Sequence, residues 1–331
     1  MPELTDEFGW IASLRDLTLG DERALGLADD AAVLPARPGY DLVISKDAMV
    51  EGVHFPGDEA PAVIGRRLLR TSLSDLAAKA AAPFGYFLMT AWPSGRGAPY
   101  RAAFKQGLEL DGREFGVALL GGDTVSTPGP LTVSATVLGW AEAGRALLRS
   151  GAKPGDALIV CGFVGDGWLG LLATQGKVAD PGGALARHYR LPTPLFVLRE
   201  ALVACAHAAV DVSDGLIADA GHIAEASGLG LDIDLDGLPI SPGARAWCEL
   251  QPDRAAALMA LAVGGDDYAI ACAVPAGREA AFNGAVESLA LPVAKLGVFG
   301  EPPGVRVTVG GRPIESRRSG WRHSDRQNSL G

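Results

Sequence analysis

Short apolar runs broken by glycine and proline dominate this chain and narrow its possible folds more than any other feature. Such runs lie at 41–45, 117–120, 131–138, 157–160, 208–210, 231–235, 269–274 and 305–309. Each has the length and residue types of a β-strand. Between them, apolar residues recur at helical spacing. In 62–82, Ile64, Leu68, Leu69, Leu73, Leu76 and Ala77 mark one face of a helix, and 195–206 and 216–226 read the same way. Strands and helices alternate, yet 131–140 and the C-terminal runs follow one another as antiparallel strands do. The fold class is therefore α/β (α+β), with mixed sheets. The 331 residues suit two domains of ordinary size. A polar turn, Arg149-Ser150-Gly151-Ala152-Lys153-Pro154-Gly155-Asp156, sets the seam. The expected units are 1–140, 141–315 and a partly disordered polar tail, 316–331.

Composition excludes several classes of function. With 48% hydrophobic and 21% charged residues the chain can bury a core, so wholesale disorder is ruled out. A formal charge of −10 argues against an extended basic face for nucleic acid. No apolar run approaches the roughly 18–20 residues of a membrane-spanning helix. The start, Met1-Pro2-Glu3, is acidic and leads into no apolar stretch, so no secretory signal is expected. The 4 cysteines are scattered without a C-x-x-C pair, which favours buried thiols in a reducing cytoplasm over a zinc ribbon.

The chemistry lies in the aspartates. Asp29 and Asp30 precede the apolar run 31–34, and Asp47 follows the strand 42–45. Asp75 sits in the helix of 62–82, and Asp123 follows Leu119-Leu120-Gly121-Gly122. Asp211 and Asp214 flank Val212-Ser213, and Asp266 and Asp267 follow Val263-Gly264-Gly265. Most of these positions are expected at strand ends or in glycine-bearing turns, where side chains converge on a ligand. Carboxylates so gathered repel: at an effective dielectric near 20, a pair about 4 Å apart costs on the order of 4 kcal/mol. A hard cation with oxygen ligands, above all Mg²⁺, relieves this, and Mg²⁺ usually brings phosphates with it.

Two nucleotide motifs fail on inspection. Residues 170–178 mimic a phosphate-binding P-loop, but the spacing is one residue too long and Val178 stands where Ser or Thr is required. Gly165-Asp166-Gly167-Trp168-Leu169-Gly170 matches the dinucleotide fingerprint literally, yet 182–190 offers no acid to hold a ribose. Those glycines are better explained by a structural turn.

Taken in order, a series of segments resembles the thiamine-monophosphate kinase family of the aminoimidazole ribonucleotide synthetase-like superfamily. They are Ala28-Asp29-Asp30-Ala31-Ala32-Val33-Leu34, the 45–55 segment ending Val50-Glu51-Gly52-Val53-His54-Phe55, Ser72-Leu73-Ser74-Asp75-Leu76, and Leu120-Gly121-Gly122-Asp123-Thr124. The 149–156 turn, Asp211-Val212-Ser213-Asp214-Gly215-Leu216, Gly264-Gly265-Asp266-Asp267-Tyr268 and Gly320-Trp321-Arg322-His323 complete the series. The resemblance implies an N-terminal mixed-sheet domain that dimerises, a C-terminal α/β domain, and an active cleft between them near the dimer interface. It implies direct in-line transfer of the γ-phosphoryl of ATP to thiamine monophosphate, with several Mg²⁺ ions and no phospho-enzyme. By matching position, Asp30, Ser45, Asp47, Asp75, Asp123, Asp211 and Asp214 become metal ligands, with Asp75, Asp123 and Asp214 the most critical. Gly122, Asp123, Arg149 and Ser213 become ATP contacts, and His54, Asp266 and Trp321 contacts of the acceptor. The resemblance also implies a cytoplasmic homodimer.

The chain departs from the family pattern at several positions. Lys46 stands where the family commonly has Thr, and its ammonium is expected to replace part of one metal's charge. Asp266 replaces a Glu, Ala28 replaces a Gly, and Lys105 occupies a position where some relatives place a nucleotide-contacting Tyr. Two other readings stay open at this level. One is another ATP-using member of the superfamily, such as the purine-synthesis synthetase; the other is a non-catalytic metal-binding protein.

Overall fold

The computed structural model describes residues 7–314 and Gly320. Trp321 and the rest of the expected tail, apart from Gly320, therefore lie outside the described residues. The chain divides into two compact units, Met1–Leu76 with Ala81–Ala146, and Ala77–Ala80 with Leu147–Gly331. Among the described residues no helix is long and apolar enough to cross a membrane.

The first unit comprises α1 (Glu7–Ser13), β1 (Tyr40–Val50), α2 (Pro61–Ala78, its last residues counted with the second unit), β2 (Ala82–Pro93), α3 (Ala98–Phe115), β3 (Ala118–Thr127) and β4 (Thr132–Glu142). Its four-stranded sheet runs β1-β4-β2-β3, antiparallel except for the parallel β2–β3 pair. Three features depart from the sequence expectation. β2 carries Pro83, Gly85 and Pro93, residues that read as breakers; the register shifts between Pro83 and Gly85, so a bulge absorbs them. β3 does not stop at Gly121-Gly122 but continues to Thr127, so Asp123 lies within a strand and not in a turn. Asp47 likewise lies inside β1. At Gly122 a Cβ would run into the backbone of Leu88, which explains a glycine in mid-strand.

Helices α2 and α3 cross closely because glycines meet backbone at the crossing. A Cβ on Gly65 would lie 2.6 Å from the Phe104 carbonyl oxygen, and one on Gly107 would overlap the backbone of Ala62. Beside the crossing, Asp111 of α3 is wholly buried and accepts hydrogen bonds from Arg70 Nε at 2.6 Å, Arg70 Nη2 at 3.0 Å and Arg66 Nε at 2.9 Å. Trp92 of β2 anchors the same region, in edge contact with Trp10, Tyr100 and Phe104.

The second unit contains β5 (Ala157–Cys161), α4 (Asp166–Thr174), α5 (Ala184–Arg190), α6 (Arg199–Cys205), β6 (Ala208–Val212), α7 (Leu216–Ala226) and β7 (Gly230–Asp234). It continues with α8 (Pro242–Glu249), α9 (Arg254–Gly264), β8 (Ala269–Val274), α10 (Glu279–Val286), β9 (Val293–Gly300), β10 (Gly304–Val309) and β11 (Arg312–Pro313). The sheet order is β11-β10-β7-β9-β5-β8-β6. Every residue of β5, β6 and β8 is buried, so β5 and β8 read as unbroken apolar runs and not as alternating ones, and β6 is interrupted only by Asp211. One face carries Leu158, Val160, Val210 and Ala271; the other carries Ile159, Cys161, Ala209 and Cys272. β9 escaped the sequence reading because Lys295, Gly297 and Gly300 interrupt its apolar pattern.

Asp111→Ala would leave two guanidinium groups without their buried partner. We expect a loss of about 3–5 kcal/mol of stability, measured by urea unfolding followed through tryptophan fluorescence. A change within about 0.5 kcal/mol, as for an ordinary surface substitution, would show that the α2–α3 pairing does not depend on this carboxylate.

Candidate active site

Alternation along β1 sorts the expected ligands. Ser45, Asp47 and Met49 share the more buried face, while Leu42, Ile44, Lys46 and Ala48 are exposed. On the buried face the Ser45 hydroxyl donates a short hydrogen bond to the Asp75 carboxylate of α2. Asp47 lies close enough for burial, and then the Asp75 charge, to push its carboxyl up to about 6, against a lowering hydrogen bond from Ser72. Ser45, Asp47 and Asp75 thus lie together, and Ser72 is a neighbour that the sequence reading did not single out. Its spacing from Asp75, one turn earlier on the same helix, was the signal available.

Asp30 and Asp123 appear elsewhere in the first unit. They line a cavity of about 670 Å³ together with Asp29, Lys46, Thr136, Gly121 and Gly122. Thr90 and Thr124 also line it, and the rest of the wall is apolar, with Trp10, Leu14, Leu27, Phe87 and Met89 among its residues. Lys46 Nζ donates to Ser134 Oγ at 2.9 Å, and Ser134 Oγ in turn donates to the Asp47 carbonyl oxygen at 2.6 Å. The ammonium expected to take over part of a metal's charge is thus held on β4, in the cavity of the acidic pair. Ala28 has φ −113°, so this position has no need of glycine. Lys105 Nζ pairs with Asp16 at 3.0 Å, which accounts for a cation at that position.

In the second unit, Asp211 lies buried in β6, and the turn after it carries Ser213 and Asp214. Asp219, from the first turn of α7, accepts the backbone N–H groups of both Ser213 and Asp214 on one oxygen, each at 3.0 Å. Burial first, and then the nearby Asp214 charge, push the Asp219 carboxyl up to about 7; the two backbone hydrogen bonds and, less strongly, Arg149 work in the opposite sense. Sequence reasoning missed Asp219, although an acid five residues after Asp214, at the start of a predicted helix, is the familiar sign of a carboxylate capping a turn. Among the described residues no three His, Cys, Asp or Glu side chains close into one metal-sized cluster.

Asp266 and Asp267 have separate tasks. Asp267 is fully buried and accepts the N–H groups of Gly165 and Gly167 at 2.8 and 2.9 Å. Its carboxyl is held well above the usual range by burial, opposed by those two hydrogen bonds. The glycines of the apparent dinucleotide fingerprint therefore give their donors to a carboxylate, and the close approach of the Asp266 backbone at Gly167 explains why a side chain is missing there. Asp266 and Tyr268 both have positive φ, 66° and 54°, so the backbone on either side of Asp267 is strained. The Asp266 carboxylate accepts the Tyr268 hydroxyl at 2.8 Å, and its N–H donates to the Ser213 carbonyl at 2.7 Å. That backbone bond joins the two turns that carry the candidate residues of this unit. In the first unit, His54 Nδ1 accepts the Val50 N–H at 3.0 Å within the tight turn at Gly52. The neutral ring then carries its proton on Nε2.

Residues 28–141 match the AIR synthase related protein, N-terminal domain, and residues 153–310 the corresponding C-terminal domain. A thiamine-monophosphate kinase of Caulobacter vibrioides is 56% identical over 318 residues, covering 96% of this chain and 90% of that protein. The crystal structure of thiamine-monophosphate kinase from Stenotrophomonas maltophilia superposes with a TM-score of 0.82 at 37% identity, covering 94% of this chain and 98% of its own. AaThiL complexed with AMPPCP and TMP superposes with a TM-score of 0.75 at 27% identity, covering 97% of both chains.

In the metal-free protein the raised Asp219 carboxyl makes stability depend on pH. In the unfolded chain it ionises near 4, whereas in the folded protein it keeps its proton to about 7. Its favourable contribution is therefore complete below about pH 4 and is lost as pH rises through about 7, at no more than about 1.4 kcal/mol per pH unit. Asp219→Asn keeps an oxygen for both N–H groups and removes the titration. Urea midpoints across this range should fall for the parent relative to the variant, and parallel profiles would contradict the assignment. By sequence and fold, the chain belongs to the thiamine-monophosphate kinase family.

Proposed function

We propose that this protein transfers the γ-phosphoryl of ATP to thiamine monophosphate, producing thiamine diphosphate and ADP. The observation that carries this reading is the 56% identity over 318 residues to a thiamine-monophosphate kinase. The relative complexed with AMPPCP and TMP, which spans 97% of both chains, supports the same pair of reactants.

The donor set suits Mg²⁺. Ser45, Asp47 and Asp75 offer only hard oxygen atoms, and a cation there would offset the burial and the Asp75 charge that push the Asp47 carboxyl up. Asp30, Asp123, Asp211 and Asp214 complete the set we assign to metal, directly or through water. Bound there, Mg²⁺ would screen the charges of the two anionic reactants. The chain's own residues do the rest of the work. Asp219 fixes the Ser213–Asp214 turn so that its backbone and hydroxyl can face phosphate oxygens. Arg149 is exposed and carries the one guanidinium we assign to ATP; Gly122, Asp123 and Ser213 are the other residues assigned to it. His54, with Nε2–H as a donor, Asp266 and Trp321 are assigned to the acceptor. Phosphoryl transfer asks chiefly for positioning and electrostatic stabilisation, so no nucleophilic side chain is invoked.

The assembly we assign is a homodimer. β1 is the edge strand of its sheet and exposes Leu42 at 41% and Ile44 at 56%, a pattern that invites pairing with a second copy. We place the reaction in the cytoplasm, where ATP is supplied and where the free thiols Cys161, Cys205, Cys248 and Cys272 stay reduced.

Incubation with Mg²⁺, ATP and thiamine monophosphate should yield thiamine diphosphate and ADP in equal amounts by chromatography, and chelation with EDTA should stop it. Hydrolysis of ATP without phosphorylation of the acceptor would sink the reading. Asp75→Asn should lower kcat by at least about 100-fold while circular dichroism stays that of the parent; parental turnover would remove Asp75 from the site. Light scattering should give the mass of two chains, and Ile44→Lys should shift it toward one. A single-chain mass for the parent would refute the dimer.

A further inference from the structure

Helix α7 holds an irregular turn at each of its ends. At its start, Asp219 takes the N–H groups of Ser213 and Asp214. At its end, Ser227 closes the helix, its own N–H donating to the Ile223 and Ala224 carbonyls, each at 3.1 Å. The Ser227 hydroxyl oxygen in turn accepts two consecutive backbone donors, Gly151 N–H at 3.2 Å and Ala152 N–H at 3.1 Å. The segment gripped in this way is the polar turn 149–156, and Arg149 stands two residues before Gly151. The chain is pinned on both sides of these donors. The Leu148 carbonyl accepts the Ala209 N–H at 3.1 Å, and Asp156 accepts the Lys153 N–H and His207 Nδ1–H, each at 2.8 Å. Gly151 has φ 128°, and a Cβ on it would lie 2.7 Å from the His207 carbonyl oxygen, so the close seating of this turn demands glycine.

We propose that Ser227 is a positioning residue for ATP, its hydroxyl setting the turn that carries Arg149. Asp219 and Ser227 are eight residues apart, about 12 Å along the helix. One rigid element therefore fixes the spacing between two turns, one bearing Ser213 and the other Arg149, and both residues are ones we assign to the nucleotide. The Arg149 charge is felt by Asp219, which places its guanidinium within electrostatic range of the Ser213–Asp214 turn. Arg149 itself is exposed, so its aim depends on how firmly its backbone is held. Without the Ser227 hydroxyl, Gly151 and Ala152 lose their shared acceptor and the arginine loses part of that aim. The residues we assign to the acceptor, His54, Asp266 and Trp321, are not carried by the 149–156 turn. The inference rests on the kinase reading above, with Arg149 as an ATP contact, and adds a determinant of nucleotide binding to it.

The test compares the parent with Ser227→Ala, Ser227→Thr, Arg149→Ala and the Ser227→Ala/Arg149→Ala double variant, varying ATP and thiamine monophosphate in turn and recording each melting temperature. We expect Ser227→Ala to raise the ATP KM by about fivefold while the acceptor KM stays within about twofold. Ser227→Thr keeps the hydroxyl and should return the ATP KM to within about twofold of the parent. Because Ser227 acts through Arg149, adding Ser227→Ala to Arg149→Ala should change the ATP KM by less than about twofold. Calorimetric titration with AMPPCP and Mg²⁺ should show the same order of affinities without turnover. An unchanged ATP KM in Ser227→Ala, an equal rise in both KM values, or an undiminished effect of Ser227→Ala in the Arg149→Ala background would each overturn the proposal. So would a parental ATP KM in Arg149→Ala, or a lower melting temperature of Ser227→Ala with parental kinetics. Should Ser227→Ala fail to fold, Ser227→Cys keeps the size and weakens the acceptor, and the same split between the two KM values is required. A parent that forms no thiamine diphosphate refutes the kinase reading; an active parent whose variants show no split refutes only the role of Ser227.

Discussion

Buried carboxylates that accept backbone N–H groups hold the second unit's site in shape. Asp267 takes the donors of Gly165 and Gly167, and Asp219 takes those of Ser213 and Asp214. Burying a carboxylate costs free energy, as the upward pKa displacement of both groups records, and the amide dipoles offset part of that cost. In return, two irregular turns acquire a defined geometry without a regular ladder of hydrogen bonds. The strained backbone at Asp266 and Tyr268 persists because Asp267 is anchored between them. The Asp266–Ser213 hydrogen bond then transmits that rigidity from one turn to the next.

The first unit reaches a similar end by different means. There the site residues lie on strands and a helix, and the sheet's own register places them. β1 pairs with β4 across its full length, from Tyr40 opposite Glu142 to Val50 opposite Thr132. Ser45 and Asp47 therefore face α2, which in turn is fixed by its close crossing with α3 at Gly65 and Gly107. The Arg66–Arg70–Asp111 network sets the rotation of that crossing, and with it the direction of Asp75 one turn further along α2. Sites built on regular elements supported in this way hold their geometry better than sites on loops.

Much of this was legible from residue order. Helix α7 starts and ends where its apolar spacing predicts, and the fully buried strands β5 and β8 appear as uninterrupted apolar runs. What escaped was governed by partners distant in sequence. Gly121-Gly122 reads as a turn on its own, and only the close parallel approach of β2 turns it into strand. Pro83 and Gly85 look like breakers until a bulge accommodates them. Asp267 looks like a second site acid beside Asp266, and only burial against Gly165 and Gly167 reveals it as a structural acceptor. Lys46 reads as a neighbour of Asp47, yet strand alternation carries its ammonium to the opposite side of the sheet.

That last separation limits how this strand can evolve. Lys46 and Asp47 differ by one position and occupy two chemically opposed environments, one cavity rich in carboxylates and one helix-covered pair. Gain or loss of one residue upstream in β1 would exchange them, sending an ammonium toward Asp75 and an extra carboxylate toward Asp30 and Asp123. Point substitutions can drift here, but length cannot, and lineages descending from this gene should preserve the span from Tyr40 to Val50 without insertions or deletions.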